Sequence, residues 1–345
     1  MTSVKEIHAD RDPREGKLGR GRFYFTDDYS VFDWGRMPDE IPEKGAALCT
    51  MGAANFELLD VNHVPTHYRG VYEANDDPTE TDPKELGECE TPPRTMAIEL
   101  ARVPDLPRDG EAYDYEAYHS AAADGYVVPL EIVFRNTVPE GSSLRRRRSP
   151  SEFDLDFAEW PDEVVDLPEP IVEFSTKFEE QDRYLSRDEA EAIAGRASLD
   201  RLEELALGVN TVVTMRAEQT GFTHEDGKIE VVYDDGTLKV ADVVGTFDEN
   251  RFSYRGQELS KEVVRQYYRR TDPDWVEAVS AAKSEAKAQG VADWRGLCEE
   301  SPDPLPVEVV ETVSEMYAAG TNGYTDFEWF DAPSLDEVVE TVRGL

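Results

Sequence analysis

The residue pattern predicts an α+β protein with two strand-bearing lobes and a helical C-terminal section. Short apolar runs bounded by turn residues occur in two separated stretches of the chain. Longer stripes with helical spacing lie between and after them. Beyond about residue 260, helix starts and stops follow one another. The 345 residues suffice for two cores, and no segment repeats.

The first lobe opens with Phe23-Tyr24-Phe25, a strand-like run, followed by the aromatic, turn-bounded stretch Asp28 to Trp34. Apolar residues recurring at three and four predict a helix from about Ala46 to Leu59. Residues 71–93 are acidic and contain several prolines, which predicts a surface excursion or long hairpin. Val127 to Phe134 has the character of a buried strand, with an irregular start at Pro129. A proline- and acid-rich connection, roughly Ser149 to Pro170, leads into the second lobe. There Leu199, Leu202, Leu205, Val209 and Val212 form a helical stripe, opened by Ser198 and closed before Gly221. A hairpin follows: Lys228 to Tyr233, a turn at Asp234-Asp235-Gly236, then Leu238 to Val244. Lys261 to Arg270 is one helix. A second starts at Asp272-Pro273, an N-cap with proline at the first helical position, and stops at Gly290.

Charge sets the environment. There are 75 Asp and Glu against 36 Lys and Arg, a net charge of −39 spread along the chain. Such a surface repels itself in dilute buffer. Molar salt shortens the screening length to about 3 Å and removes most of that penalty. With ten lysines against 26 arginines, the composition points to a salt-adapted cytoplasm. An acidic mimic of nucleic acid would need one acidic face instead. Binding of nucleic acid itself is disfavoured, because it needs a basic surface. Cys49, Cys89 and Cys298 are far apart and form neither a disulfide framework nor a zinc spacing. His63 and His67 are four apart, but Pro65 argues against a shared helix face. No apolar run is long enough to span a bilayer, and Met1 to Lys17 has no signal-peptide core, so no membrane partner is expected.

Four clusters could carry chemistry. In Asp226-Gly-Lys228-Ile-Glu230, Lys228 and Glu230 share a strand face, and the hairpin brings Asp242 within a residue or two of Glu230. Two carboxylates and an ammonium suit Mg²⁺ carrying nucleotide phosphates. Spacing alone equally fits an exposed hairpin with cross-strand ion pairs. Arg135-Asn136, then Gly141-Ser142-Ser143-Leu-Arg145-Arg146-Arg147-Arg148, offers guanidinium forks, hydroxyls and turn amides to a phosphate. At least two of the four consecutive arginines belong to a solvated patch on the plainer view. Ser175-Thr176-Lys177 with Asp182 could order a charged substrate or form a plain loop. Asp248-Glu249-Asn250-Arg251 precedes Lys261 and Arg265, which stand four apart on one helix face and can grip one anion. Five of the ten lysines (Lys5, Lys44, Lys177, Lys228, Lys261) fall in these clusters or in two N-terminal motifs, as expected where a compact ammonium is needed.

In order and spacing these segments resemble the phosphoribosylaminoimidazole-succinocarboxamide synthase (SAICAR synthetase) family. Ser3-Val4-Lys5-Glu6-Ile7 is similar to its opening strand, and Thr26-Asp27-Asp28-Tyr29-Ser30-Val31-Phe32-Asp33 to its Ser-Asp-Arg-x-Ser-x-Phe-Asp block. Ile41-Pro42-Glu43-Lys44-Gly45 resembles its Ile-Pro-Gly-Lys-Gly. The Arg135 to Ser142, Leu167-Pro168-Glu169-Pro170 to Lys177, Asp-x-Lys-x-Glu and Asp248 to Arg251 segments follow in family order. The resemblance implies two sheet-containing lobes enclosing ATP, an arrangement related to ATP-grasp folds. The first lobe, residues 1–134, would cover ATP. Residues 135–260 would carry the metal and ribonucleotide sites, and 261–345 the helical section. It implies a ligase that joins carboxyaminoimidazole ribonucleotide to L-aspartate through an acyl phosphate, at the expense of ATP.

By matched position, Glu230 and Asp242 would hold Mg²⁺, and Val4, Lys5 and Lys228 would contact ATP. Arg135, Ser142, Ser143, Arg251, Lys261 and Arg265 would bind the ribonucleotide. Lys177 and Asp182 would line the substrate side and share the catalytic work with Lys228. The sequence departs from the family at Thr2 and Ser3, at Asp28, at Val243 in place of a second acid, and at Glu249 and Asn250 in place of small hydroxyl residues. The loop between Lys177 and Asp182 is also one residue shorter. A small-molecule kinase of related fold and an inactive nucleotide-binding protein are the competing readings. The tail beyond about 270 is longer than usual; Trp275, Trp294, Trp329 and Phe330 could pack in their own subunit, the default for large aromatics, or form a homo-oligomer contact.

Overall fold

The computed structural model describes residues 4–14, 16–109, 112–122, 124–139, 141–179, 182–291 and 293–345. In chain order, β1 (Lys5–Arg11) and β2 (Gly19–Phe25) lead to α1 (Lys44–Val61), β3 (Tyr68–Tyr72) and β4 (Thr95–Leu100). The small pair β5 (Arg108–Asp109) and β6 (Ala112–Tyr113) precedes α2 (Tyr115–Ala122), β7 (Gly125–Val127) and β8 (Leu130–Val138). Next come α3 (Leu144–Arg147), β9 (Val165–Thr176), α4 (Arg187–Ala194), α5 (Leu199–Gln219), β10 (Phe222–Asp234) and β11 (Thr237–Ala241). The chain closes with β12 (Asn250–Tyr254), β13 (Gln257–Glu258), α6 (Glu262–Thr271), α7 (Pro273–Gln289), α8 (Val307–Thr325) and α9 (Leu335–Arg343).

The first sheet is antiparallel in the order β1-β2-β4-β3. Helix α1 packs against it on one side and against α8 on the other. That double cover explains its sequence: Ala46, Ala47, Leu48, Cys49, Met51, Ala53, Phe56 and Leu59 are all buried, so it is apolar around most of its circumference rather than along one stripe. At its start, Gly45 lies so close to the first lobe that a Cβ there would meet the Phe25 carbonyl oxygen at 2.5 Å. Residues 73–84 fold back on themselves, with Lys84 bonded to Glu73 at 2.8 Å and to Asp76 at 3.0 Å.

The second sheet has the path β13-β12-β10-β8-β9, with β7 and β11 also pairing with β10. Strand β10 is its spine. Residues 222–227 pair with β12 and 226–229 with β8, whereas 230–234 pair with β11 and in part with β7. The break at Val128-Pro129 between β7 and β8 is the irregular start read from the sequence, because proline cannot donate to the ladder. Three boundaries differ from expectation. The lobe boundary at 134/135 falls inside β8, which belongs to the second sheet because it pairs with β10 and β9. The connection expected to run to Pro170 ends earlier, since β9 already starts at Val165 and its prolines sit on the outer side of the path. The return strand of the hairpin stops at Ala241, so Asp242 stands just past it, in a left-handed conformation at φ 65°.

A buried ion pair ties the three parts together. Lys44 of α1, with no exposed surface, bonds Asp248 of the second lobe at 2.7 Å, and the same carboxylate accepts from Tyr317 of α8 at 2.7 Å. Breaking such a pair on one side costs about 3–5 kcal/mol. The C-terminal aromatics Trp275 and Trp294 are buried within the chain, edge-on to Trp34 at 5.7 and 5.9 Å. The Asp272 carboxylate caps α7 by accepting from the Trp275 amide at 3.3 Å, and Gly290 ends the helix at φ 64°. Among the described residues no helix is long and apolar enough to cross a membrane.

Candidate active site

Strands β8, β9 and β10, the segment after β11, and helices α6 and α7 border one cleft of about 470 Å³. Its lining includes Arg135, Ser143, Asp182, Lys228, Arg251, Lys261 and Arg265. These come from five separate stretches of sequence, and the sheet brings them together.

Next to Lys228 of the cleft lining, lysines and carboxylates alternate. Lys5 of β1 pairs with Asp242, and Lys177 pairs with Glu230. Lys228 lies 2.8 Å from Glu131 and 3.4 Å from Glu249. The register opposes Glu230 to Ala241, one residue before Asp242, which sets the two acids side by side. Burial, then the Asp242 charge, pushes Glu230 up to about 7 against the pull of Lys177, Lys228 and Lys5. Burial works against ionisation of Asp242 too, but Lys5 and Lys177 hold it below the usual carboxylate range. Two adjacent buried carboxylates with oxygen donors only are a fitting seat for Mg²⁺, which takes one or two carboxylates and completes its shell with phosphate and water. Val243, where the family has a second acid, is buried and apolar, so no further carboxylate comes from that position. Val4 lies alongside, its carbonyl accepting from the Thr26 amide at 3.1 Å. Thr2 and Ser3 lie outside the described residues.

Deeper in the cleft, guanidinium groups converge on Asp226. Arg135 donates to Asp226 at 2.7 Å, to Glu173 at 2.9 Å and to the Tyr184 hydroxyl at 3.1 Å. Arg251 grips both oxygens of the same Asp226, its Nε at 2.8 Å. Arg147 bonds Glu173 at 2.7 Å and lies 3.4 Å over the Tyr184 ring. Arg145 folds back on the carbonyls of Val138 and Pro139, whereas Arg148 is exposed and binds Glu152. Of the two serines, Ser143 lines the cleft, whereas Ser142 is buried and turned to the Leu144 amide at 3.3 Å, where it serves the short helix α3. Lys261 and Arg265 both line the α6 side, with Arg265 also 3.2 Å from Glu262. Burial lowers the Lys261 ammonium below its ordinary range.

Beneath the cleft floor lies a directional chain of hydrogen bonds. The Gly245 amide donates to Asn250 Oδ1 at 3.1 Å, which fixes the amide so that its Nδ2 donates to His224 Nε2 at 2.8 Å. His224 Nδ1 then carries the proton toward Thr214 Oγ1, 2.8 Å away. Gly227 allows this, because a Cβ there would meet the Asn250 side chain at 2.0 Å. The chain holds the Asp248 to Arg251 segment against β10. Burial depresses His224 to about 4, against the Asp226 charge. An unfolded imidazole titrates near 6.5, so the stability from a neutral His224 is fully present above about pH 6.5 and lost as pH falls toward 4. The shift corresponds to roughly 3 kcal/mol. Ring ¹⁵N NMR shifts of His224 are therefore expected at their neutral-tautomer values at pH 5.5. Protonation near pH 6 would contradict this geometry.

Four participants receive no role from the sequence. Asp226 and Glu131 were visible beside Lys228 and Arg135, but their partners were not. Glu173 lies in β9, whose first residues belong to the stretch read as a connection. Lys283 of α7 reaches the same cleft from the C-terminal section. Glu249, noted only as a departure, sits beside Lys228, and although burial opposes its charge, Lys228, Lys261 and Lys5 hold it well below the carboxylate range.

This assembly defines an α+β protein with a cleft in which lysine and arginine side chains from several elements converge among carboxylates. The SAICAR synthetase family model matches residues 14–282. A protein of Archaeoglobus fulgidus, provisionally named phosphoribosylaminoimidazole-succinocarboxamide synthase, is 42% identical over 356 aligned positions, covering 100% of this chain and 99% of its own. The Thermoplasma acidophilum synthase is 29% identical, with 94% and 97% coverage. Among solved structures, the Saccharomyces cerevisiae SAICAR synthase complexed with SAICAR gives a TM-score of 0.61 at 20% identity, over 95% of this chain and 94% of that one. A SAICAR synthetase in complex with ADP gives 0.54 at 24%, over 88% and 99%. At those identities the structural likeness speaks for the fold. The chain belongs to the SAICAR synthetase family. It is a carbon–nitrogen ligase of purine biosynthesis.

Proposed function

We propose that this ligase joins L-aspartate to carboxyaminoimidazole ribonucleotide, with ATP activating the ribonucleotide carboxylate. The observation that carries the reading is the bank of lysines, Lys5, Lys177 and Lys228, each held against a carboxylate, next to the Arg135–Arg251 cluster. The relatives solved with ADP and with SAICAR support it.

The three lysines neutralise the triphosphate, and Arg135, Arg251 and Ser143 hold the ribonucleotide. A carboxylate oxygen of the ribonucleotide attacks the γ-phosphorus, the bond to the β,γ-bridging oxygen breaks, and ADP leaves. The amine of L-aspartate then attacks the acyl carbon, loses a proton, and expels phosphate to leave the amide. Glu230 and Asp242 would hold Mg²⁺, which, when bound, supplies charge neutralisation at the phosphates. The lysine–carboxylate pairs present a preformed field, so the protein's share is positioning and charge stabilisation. The acidic surface fits a salt-rich medium.

The test is phosphate release from ATP in molar KCl with Mg²⁺ and the ribonucleotide, with and without L-aspartate. Release that requires aspartate and matches succinocarboxamide formation is the expected result. A phosphorylated acceptor that accumulates without aspartate would instead indicate a kinase.

A further inference from the structure

We propose that Lys283 is a specificity residue for the amino-acid substrate, its ammonium receiving a carboxylate of L-aspartate at the α6–α7 wall of the cleft while Asp33 serves as its displaceable resident counter-ion. This rests on the ligase reading above. Lys283 falls just outside residues 14–282, which match the family, yet its side chain lines the same cleft as Lys228 and Arg251.

Asp33 marks the spot. Its carboxylate lies 2.5 Å from Lys283 Nζ. Lys283 meets this carboxylate directly, and Lys261 and Arg265 line the same cleft, so the wall is cationic where a substrate carboxylate would sit. The Asp33 side chain is 77% exposed in the open cleft, so only the ion pair detains it, and exposed ion pairs are weak. Its backbone, by contrast, is fixed. Phe32 and Asp33 take consecutive left-handed conformations at φ 54° and 59°. Arg295 donates to the Asp33 carbonyl at 2.5 Å and to that of Trp34 at 2.6 Å, and Trp275 packs edge-on against Phe32 at 5.6 Å. The ammonium of Lys283 is itself placed by the Trp294 ring, 5.1 Å from its centroid. A rigid turn therefore carries a loosely held carboxylate against a well-placed cation.

Charge matching assigns the occupant. The phosphates of ATP fall to Lys5, Lys177 and Lys228, and the ribonucleotide phosphate to Arg135 and Arg251. Apart from the ribonucleotide carboxylate that ATP activates, the anionic groups left are the two carboxylates of the amino acid, and the cationic wall left is that of α6 and α7, whose Lys261 and Arg265 the family resemblance assigned to the ribonucleotide. Lys261 lies near Glu249, which touches Lys228, so this wall begins beside the phosphoryl end and runs outward to Lys283. An amino acid held there by a carboxylate can direct its amine inward.

The test compares wild type with Lys283→Met and Lys283→Arg in the aspartate-dependent assay, varying one substrate at a time. Lys283→Met is expected to raise the KM for L-aspartate about tenfold, with the KM values for ATP and ribonucleotide within about twofold. Lys283→Arg is expected to restore most of the loss. A rise in the ribonucleotide KM instead would make this a phosphate contact and overturn the assignment. Unchanged KM values with a lower melting temperature would reduce Lys283 to a brace for the Phe32–Trp34 turn and equally overturn it. Wild-type turnover that does not need L-aspartate would remove the ligase reading itself, and this subsite with it.

Discussion

Glu230→Gln is expected to lower turnover by about 10³ while leaving the fold intact. The substitution keeps the shape and removes one negative charge from the pair that Glu230 forms with Asp242. The fold is expected to tolerate this, because Gln keeps the shape and, among the described residues, the charge of Glu230 is spent on an ion pair with Lys177. The variant loses on two counts. The proposed Mg²⁺ seat keeps a single carboxylate, and Lys177 loses the counter-charge that, against its burial, keeps it protonated and placed. Aspartate-dependent phosphate release at saturating Mg²⁺ reads the first effect, and calorimetric Mg²⁺ titration with a non-hydrolysable ATP analogue reads it without turnover. Unchanged circular dichroism in molar KCl secures the fold. Near-normal kcat at saturating Mg²⁺ would remove Glu230 from the metal seat.

Arg251→Ala is expected to raise the KM for the ribonucleotide about a hundredfold and that for ATP by less than threefold. Arg251 lines the cleft and also grips Asp226 with two nitrogens. Its loss removes a fork suited to phosphate, while Asp226 keeps Arg135 at 2.7 Å and so is not left as an unpaired buried charge. The fold should therefore survive, which a thermal melt checks. Initial-rate measurements with each substrate varied in turn give the two KM values. Equal effects on both substrates would show that Arg251 acts on the cleft as a whole rather than on one ligand.

The elements that could be read in advance share a local cause. The helix of α5 announced itself through Leu199, Leu202, Leu205 and Val209, the cap of α7 through Asp272-Pro273, and the hairpin of β10 and β11 through Asp235-Gly236, because each signal lies within a few residues of the structure it specifies. The candidate cleft residues were legible for a different reason. Their chemistry is scarce in this chain: ten lysines in an acidic protein stand out wherever they fall. What stayed hidden was pairing. Nothing near Lys5 points to Asp242, which follows 237 residues later, and nothing near Lys44 points to Asp248 and Tyr317. The orientation of Ser142 was equally hidden, since adjacent serines in a turn differ only in which way the turn aims them.

By itself, the sequence determined the α+β class, the acidic surface, the order of the motifs and the kinds of charged group brought to the site. These depend on local propensity, composition and periodicity, which the chain carries without reference to its fold. Tertiary structure alone decided which charge meets which: that Glu173 and Asp226 share Arg135, that a bulge and a glycine in β10 let Asn250 close over His224, and that the C-terminal section delivers Lys283 to Asp33. Those outcomes depend on strand register and helix docking across hundreds of residues. A single residue's slip in a strand exchanges its faces, so no local reading of the chain could assign them.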